Sequence, residues 1–414
     1  MPKKGASKRP VETTEEDDEI AFLMAAAAAN KKKIAEENKK SLFPDEVFKD
    51  LPAPPINSQP DGNFSERCVL KYTDEMLSKF TINQSDEDRL KEIKAALPFF
   101  REGGIVHQSV REWALNSGII KPGVNLNDMC GQIEEGVRRM VNYKPPTRCL
   151  AFPCGCSINN CAAHYSPLPG DTRTLQKDDV MKIDYGVAIN GYIIDSAFTV
   201  CFDPRFDPLI EASRMATETA IKMAGPEMRI GEIASAIEEV ISSYTLDLNG
   251  KSYPLKPVYN LSGHQLGQYI VHCGKSIPLT KRANNSEKML PGEIYACETF
   301  ATTGKGIVFD DGLTSHFMTA KQPPKPKTGS EQRMLKVLTD NFKTMAFCQR
   351  FLERAGERNY TNTLQQMVKD KIVNPYPPLS DIVGSYVSQH EHTFILLEDH
   401  KEVLSLPAGA WRLD

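Results

Sequence analysis

The chain has 414 residues, 50 of them basic and 54 acidic, for a formal net charge of −4 at pH 7. Such a near balance argues against nucleic acid or a membrane surface as the main partner, since either selects a strongly basic face. Ten cysteines without a regular framework, no apolar leader, and no apolar run longer than Ala25–Ala29 and its neighbours lead us to expect a cytoplasmic protein with free thiols.

Along the chain, residues 1–67 read differently from the rest. Residues 12–19 are all acidic or threonine, Lys31–Lys33 is basic, and residues 51–62 (Leu-Pro-Ala-Pro-Pro-Ile-Asn-Ser-Gln-Pro-Asp-Gly) cannot hold regular structure. With little apolar surface to bury, this stretch is expected to be a disordered, charged N-terminal extension. From Cys68 onward the pattern is globular and mixed α/β. Helical periodicity spans 86–116, 127–141, 208–223 and 230–244, and strand-like runs span 179–189, 192–202, 293–301 and 391–397. A second proline-rich stretch, Gln322-Pro-Pro-Lys-Pro-Lys-Thr, precedes Ser330, which is placed to cap a helix carrying Met334, Leu335, Val337 and Leu338. Helical text then runs to about Asp370 and stops at Asn374-Pro-Tyr-Pro-Pro378, so residues 322–380 read as a helical insertion.

The segment Asp184-Tyr-Gly-Val-Ala-Ile-Asn190-Gly191-Tyr-Ile-Ile-Asp195 is the most informative. Asn190-Gly191 between two apolar runs signals a two-residue type I′ turn, which needs φ > 0 at both positions. That loop sets Ile189 opposite Tyr192 and Asp184 opposite Ala197, so Asp184 and Asp195 share one face. Their Cβ atoms then lie roughly 7–8 Å apart. Two anions on apolar strands resist burial unless a cation lies between them. On this segment alone, a cation site and a solvent-facing pair on an edge hairpin fit equally well.

Three further segments are chemically expensive. His264 and His272 stand among glycines and apolar residues, Glu298 interrupts the run Ile-Tyr-Ala-Cys-Glu298-Thr-Phe-Ala, and Glu391 opens the run Glu391-His-Thr-Phe-Ile-Leu. Alternation places Glu391 and Thr393 on one face and His392 and Phe394 on the other. Singly, each has a bland explanation. Together, four carboxylates and one imidazole from separated apolar strands match the inventory of an oxygen-rich two-metal site. Cys154, Cys156 and Cys161 lack the paired spacing of a structural zinc site and are expected to be packing residues.

From about Cys68 to Asp414 the chain resembles the type 2 methionine aminopeptidases of the pita-bread fold, in which two pseudo-symmetric α/β halves close around a dinuclear centre. The resemblance is carried by Asn159-Asn-Cys-Ala-Ala-His164, Lys182-Ile-Asp184-Tyr-Gly and Ile194-Asp195 in the first half. In the second half it is carried by Gly263-His264-Gln-Leu-Gly-Gln-Tyr269, His272-Cys-Gly-Lys275, Glu298-Thr-Phe-Ala-Thr-Thr-Gly-Lys-Gly306, Pro375-Tyr-Pro-Pro-Leu379 and Glu391-His-Thr.

The resemblance implies two divalent ions, drawn from Mn, Co, Fe and Zn, with Asp195 and Glu391 bridging them. It implies Asp184 on one ion, His264 and Glu298 on the other, and Glu298 passing a proton to the leaving amine. His164 and His272 correspond to substrate-binding histidines that stabilise the tetrahedral intermediate, and His164 to the one alkylated by fumagillin-type epoxides. Phe152, Val271, His316, Tyr376 and Leu379 sit at the positions that line the methionine pocket. The activity implied is removal of the initiator methionine from nascent proteins with a small second residue, by a cytoplasmic monomer.

Two departures stand out. Ser262 occupies a position where many type 2 enzymes have asparagine, which bears on pocket preference rather than on the chemistry. The extension holds only short charged blocks where relatives have long ones, so it gives little support to ribosome association. Two rivals share the fold. A binding protein that has lost its metal ligands is disfavoured because Asp184, Asp195, His264, Glu298 and Glu391 are all intact. An Xaa-Pro dipeptidase usually has an acidic residue after the second histidine, whereas Cys273-Gly-Lys follows His272 here.

Overall fold

A computed structural model of the chain describes residues 42–55, 66–281 and 286–407. Two α/β halves make up most of it, each a twisted antiparallel sheet with a pair of helices on one face. In the first half, helix α1 (Gln84–Asn116) starts at a capping box, where Asn83 and Asp86 each accept the other's backbone N–H. Helix α2 (Leu126–Met140) is capped by the Asn125 side chain. Both cover a sheet of strands β1 (Arg148–Ile158), β2 (Met181–Ile189) and β3 (Tyr192–Val200), in that order. The β2–β3 hairpin has the expected register, with Ile189 opposite Tyr192 and Asp184 opposite Ala197, and Asn190 and Gly191 both have positive φ (52° and 80°). Tyr185 points to the helical face, where its hydroxyl donates to the His107 carbonyl at 2.9 Å. Strand alternation therefore turns Asp184 the other way.

The second half repeats the plan. Helices α3 (Asp207–Met223) and α4 (Ile230–Ser242) back a sheet containing β4 (Ser262–Gly267), β5 (Ile270–Pro278), β6 (Ile294–Thr302) and β7 (Val387–Leu396). Its order is Val69–Lys71, His400–Val403, β7, β6, β4, β5. Thr299 faces α3, donating to the Ser213 carbonyl at 2.7 Å, so Glu298 faces away from the helices. Each half has its own apolar core, with Trp113, Ile133 and Tyr185 in the first and Phe206, Ile233 and Phe394 in the second.

Where the halves meet, β3 and β7 run antiparallel without a backbone ladder. Hydroxyls fill the gap instead. Thr393 Oγ1 accepts from the Asp195 N–H at 2.8 Å and donates to the Asp195 carbonyl at 2.7 Å, and Ser196 Oγ donates to the Glu391 carbonyl at 2.6 Å. Thr199 Oγ1 likewise accepts from the Gln389 N–H at 2.9 Å and donates to its carbonyl at 2.8 Å.

Several expectations need correction. The strand expected over 391–397 begins four residues earlier at Val387, so Glu391 lies mid-strand, opposite Glu298. Strands β1, β4 and β5 were not expected at all. β1 contains Pro153 and Gly155, and β4 and β5 pair with irregular register, so none shows a clean two-residue period. In the insertion, Thr328 rather than Ser330 caps helix α5 (Gly329–Asn341), because Glu331 at the third helical position closes a capping box with it. Helices α6 (Gln349–Arg354) and α7 (Thr361–Lys369) follow, and the insertion is not purely helical. Its strands Ala346–Phe347 and Val373–Tyr376 flank the strand His316–Thr319.

Part of the stretch expected to be a disordered extension is folded. Residues 42–55 pack on the first half, with Phe48 buried and stacked on Trp113 at 5.4 Å between ring centroids. Asp45 pairs with Arg139 at 2.6 Å. The remainder of that expectation, over 1–41 and 56–65, lies outside the described residues. Among the described residues no helix is long and apolar enough to cross a membrane. All ten cysteines are free, and Cys154 and Cys156 are buried in the first core as packing residues.

Candidate metal centre

Five strands from the two halves deliver the five residues singled out by composition and spacing. Asp184 and Asp195 come from β2 and β3, His264 from β4, Glu298 from β6 and Glu391 from β7, and all five line one recess. Glu298 and Glu391 are direct cross-strand partners, and His264 pairs with Ala296, two residues before Glu298. His264 Nε2 lies 3.6 Å from Glu298 Oε1 and 3.8 Å from Asp195 Oδ2. Ligand atoms of Asp195, His264 and Glu391 all fall within 4.8 Å of one another.

The electrostatics suit a cation. Burial pushes the Asp184 carboxyl up to about 7. Burial, and then the neighbouring carboxylates, push Asp195, Glu298 and Glu391 well above the ordinary carboxylate range. Burial, followed by His272, holds His264 well below its usual value, leaving a neutral imidazole with a lone pair to offer. Asp184 Oδ1 and Glu391 Oε2 are buried without a hydrogen-bond donor. Hard oxygen donors around one borderline nitrogen, with orphaned carboxylate oxygens among them, fit divalent ions such as Mn, Fe, Co or Zn.

His164 and His272 stand on the rim, the His272 ring edge-on to His264 at 4.2 Å between centroids. His164 has φ 63°, a left-handed conformation uncommon for residues with a side chain. Ser315 holds it there, its hydroxyl donating to the His164 carbonyl at 3.2 Å, while Tyr376 meets the His164 ring edge-on at 6.0 Å. Phe152, Val271, His316 and Tyr376 are among the residues lining the recess, together with Met318 and Ala346, which had not been singled out. Leu379 does not line it. Its short strand pairs with Ala163, and its side chain packs on the second core. A more open recess adjoins across His164, His264, His272 and Glu298, and contains Asn260, Ser262 and Ser276.

Sequence reasoning missed two polar residues. One is Ser315. The other is Gln389, whose amide nitrogen reaches both Asp184 and Glu298. The available signal for Gln389 was its position two residues before Glu391, which counts only once the strand is known to extend back to Val387.

Residues 99–319 match the profile described as metallopeptidase family M24. The chain belongs to that family. It is 41% identical over 378 residues to methionine aminopeptidase 2 of Komagataella phaffii, covering 89% of this chain and 82% of the relative. It is 41% identical over 360 residues to methionine aminopeptidase 2A of Arabidopsis thaliana, covering 85% and 79%. Two solved structures share the fold. A thermophilic Arx1 superposes with TM-score 0.64 at 17% identity, covering 83% of this chain and 93% of that one. The methionine aminopeptidase of Rickettsia prowazekii superposes with TM-score 0.51 at 15% identity, covering 79% and 99%. The architecture expected from the resemblance, a pita-bread fold of mixed α/β class, is thus the one found.

Proposed function

We propose that this M24 metallopeptidase removes methionine from the N-termini of nascent polypeptides in the cytoplasm, acting as a monomer on chains whose second residue is small. The observation that carries this reading is the convergence of four carboxylates and one imidazole at the floor of a recess with soft apolar walls. The relatives named methionine aminopeptidase support the choice of methionine.

In this reading Asp184, Asp195, His264, Glu298 and Glu391 would hold the divalent ions between them. Divalent ions held there supply Lewis acidity, polarising a peptide carbonyl and making water acidic enough to attack near neutral pH. The chain's own residues do the rest. Phe152, Val271, His316, Met318 and Tyr376 accept the methionine thioether, which is unbranched and polarisable and fills such a wall well. His164 and His272 present imidazoles to the scissile carbonyl from the rim and stabilise negative charge on its oxygen by hydrogen bonding. Burial, and then His316, depress the His164 pKa to about 4, so the ring is neutral at pH 7 and carries an N–H to donate. Glu298 carries a proton to the leaving amine. The polypeptide beyond the methionine leaves through the adjoining recess lined by Asn260, Ser262 and Ser276.

A bulky second side chain would press on the ring formed by His164, His272 and the carboxylates, and a misplacement of about 1 Å in such a site can cost ~100-fold in rate. The test is a set of otherwise identical peptides beginning Met-Gly, Met-Ala, Met-Pro, Met-Leu and Met-Lys, with an Ala-Pro peptide in parallel. Methionine release from the first three alone is expected. Comparable kcat/KM for the leucine and lysine members would overturn the second-residue rule. Cleavage of Ala-Pro without release of methionine would make the protein a dipeptidase instead.

A further inference from the structure

Gln389 lies two residues before Glu391 on β7, so its side chain projects to the same face. Its Nε2 donates to Asp184 Oδ2 and to Glu298 Oε2, each at 3.3 Å. Both amide hydrogens are therefore used, one on a carboxylate from each half of the molecule. Once ionised, these carboxylates can only accept, which sets the amide with its nitrogen toward them. Its Oε1 is buried with no donor in the protein, so Gln389 is not placed there to balance its own hydrogen bonds. The backbone is clamped as well, with Thr199 Oγ1 gripping both the N–H and the carbonyl of Gln389 across the seam.

We propose that Gln389 is a positioning residue for the metal centre, spacing one carboxylate from each half so that their remaining oxygens are presented to the ions. A neutral amide suits this task. It offsets repulsion between Asp184 and Glu298 without adding a positive charge that would compete with cations for the same oxygens, as a lysine would. It occupies Oδ2 of Asp184 and leaves Oδ1, which is buried and unpartnered, for coordination. Groups that hydrogen-bond metal-ligating carboxylates orient them, and their loss typically costs about 10–100-fold in metal affinity or activity.

This inference rests on reading the five residues as metal ligands, and metal binding tests it without recourse to activity. Apo protein would be titrated with Mn(II) by calorimetry, with electron paramagnetic resonance following spin coupling between the ions. Two variants would accompany the wild type: Gln389→Met, which keeps volume and loses the side-chain donors, and Thr199→Val, which loosens the Gln389 backbone from outside the recess. Gln389→Met should weaken Mn(II) binding by about 10–100-fold and diminish the coupled signal, while circular dichroism and apo melting stay near wild type. Thr199→Val should move both readouts in the same direction by a smaller factor, and it decides the matter alone if the methionine variant does not fold. Wild-type Mn(II) affinity and coupling in the folded variants would overturn the role of Gln389. A wild-type apo protein that binds no Mn(II) would instead overturn the ligand assignment beneath it.

Discussion

Asp195→Asn keeps the shape of a side chain whose backbone is held on both sides by Thr393, and removes one negative charge from a buried cluster. We expect the variant to fold with an unchanged circular dichroism spectrum, and its metal affinity and turnover to fall by ~100-fold or more. Metal analysis alongside kinetics checks this, and unchanged metal content with near wild-type turnover would sink the dinuclear reading. His164 should be alkylated by fumagillin-type epoxides, because its ring is neutral and is not needed as a ligand. Its labelling rate should stay flat between about pH 8 and pH 6, whereas an ordinary histidine titrating near pH 6.5 would lose nucleophile over that range. Peptide mapping by mass spectrometry locates the adduct, and modification of cysteine but never His164 would count against its placement. At this scale the five ligand candidates were legible in the sequence because buried charge on apolar strands is costly and therefore conspicuous. Gln389 and Ser315 were not, since neutral polar side chains are common in strands and loops, and only contact with a charged or strained neighbour reveals their use.

The β2–β3 hairpin was readable because a two-residue loop determines every pairing beyond it. The structure adds why the tip cannot vary. Gly191 has φ 80°, a Cβ placed there would meet the Tyr269 ring at 2.4 Å, and the Gly191 carbonyl accepts from the Tyr269 N–H at 2.7 Å. Gly191→Ala should therefore cost ~2–4 kcal/mol through strain at positive φ together with overpacking. Urea denaturation measures it, and a loss below about 0.5 kcal/mol, the range of ordinary surface substitutions, would show that the turn is not clamped by Tyr269. Elements without a clean period were the ones missed. β1 folds as a strand although Pro153 and Gly155 interrupt it, because its remaining residues are buried between α2 and β2, and tertiary packing outweighs local preference. The Thr328–Glu331 capping box was legible in principle, and it outcompetes Ser330 because it satisfies two helix-end groups at once.

Across the whole molecule, the N-terminal boundary moves. A protein starting at residue 42 and one starting at residue 66 should both hydrolyse short peptides, since neither loses a proposed ligand. The shorter one should melt at lower temperature, because it loses Phe48 from between Trp113 and the Arg139 guanidinium, which stands 4.0 Å over the Phe48 ring. Phe48→Ala in the full chain should reproduce most of that loss, about 3–5 kcal/mol if the site cannot collapse. Identical melting of the two truncated forms would show that residues 42–55 only rest on the surface. The proline-rich text around residues 51–62 hid this segment, because its few apolar anchors lie upstream of the prolines and form no periodic pattern.

The hydroxyl seam between β3 and β7 bears on how the protein answers to metal. At this boundary the amides of Asp195 and Gln389 are held by the rotatable hydroxyls of Thr393 and Thr199, not by a partner strand. A hydroxyl lets go by turning about one bond, whereas a ladder must be lifted as a unit. The proposed ions span this line, with ligands drawn from both sides, so a filled centre acts as a brace across the seam. Chelation should then do more than remove the ~2.7 kcal/mol of stability that a ligand at one hundred times its Kd supplies. It should open the joint locally, and the amides of Asp195 and Gln389 should take up deuterium sooner than those of the β2–β3 ladder beside them, making the two amides a gauge of whether the centre is loaded.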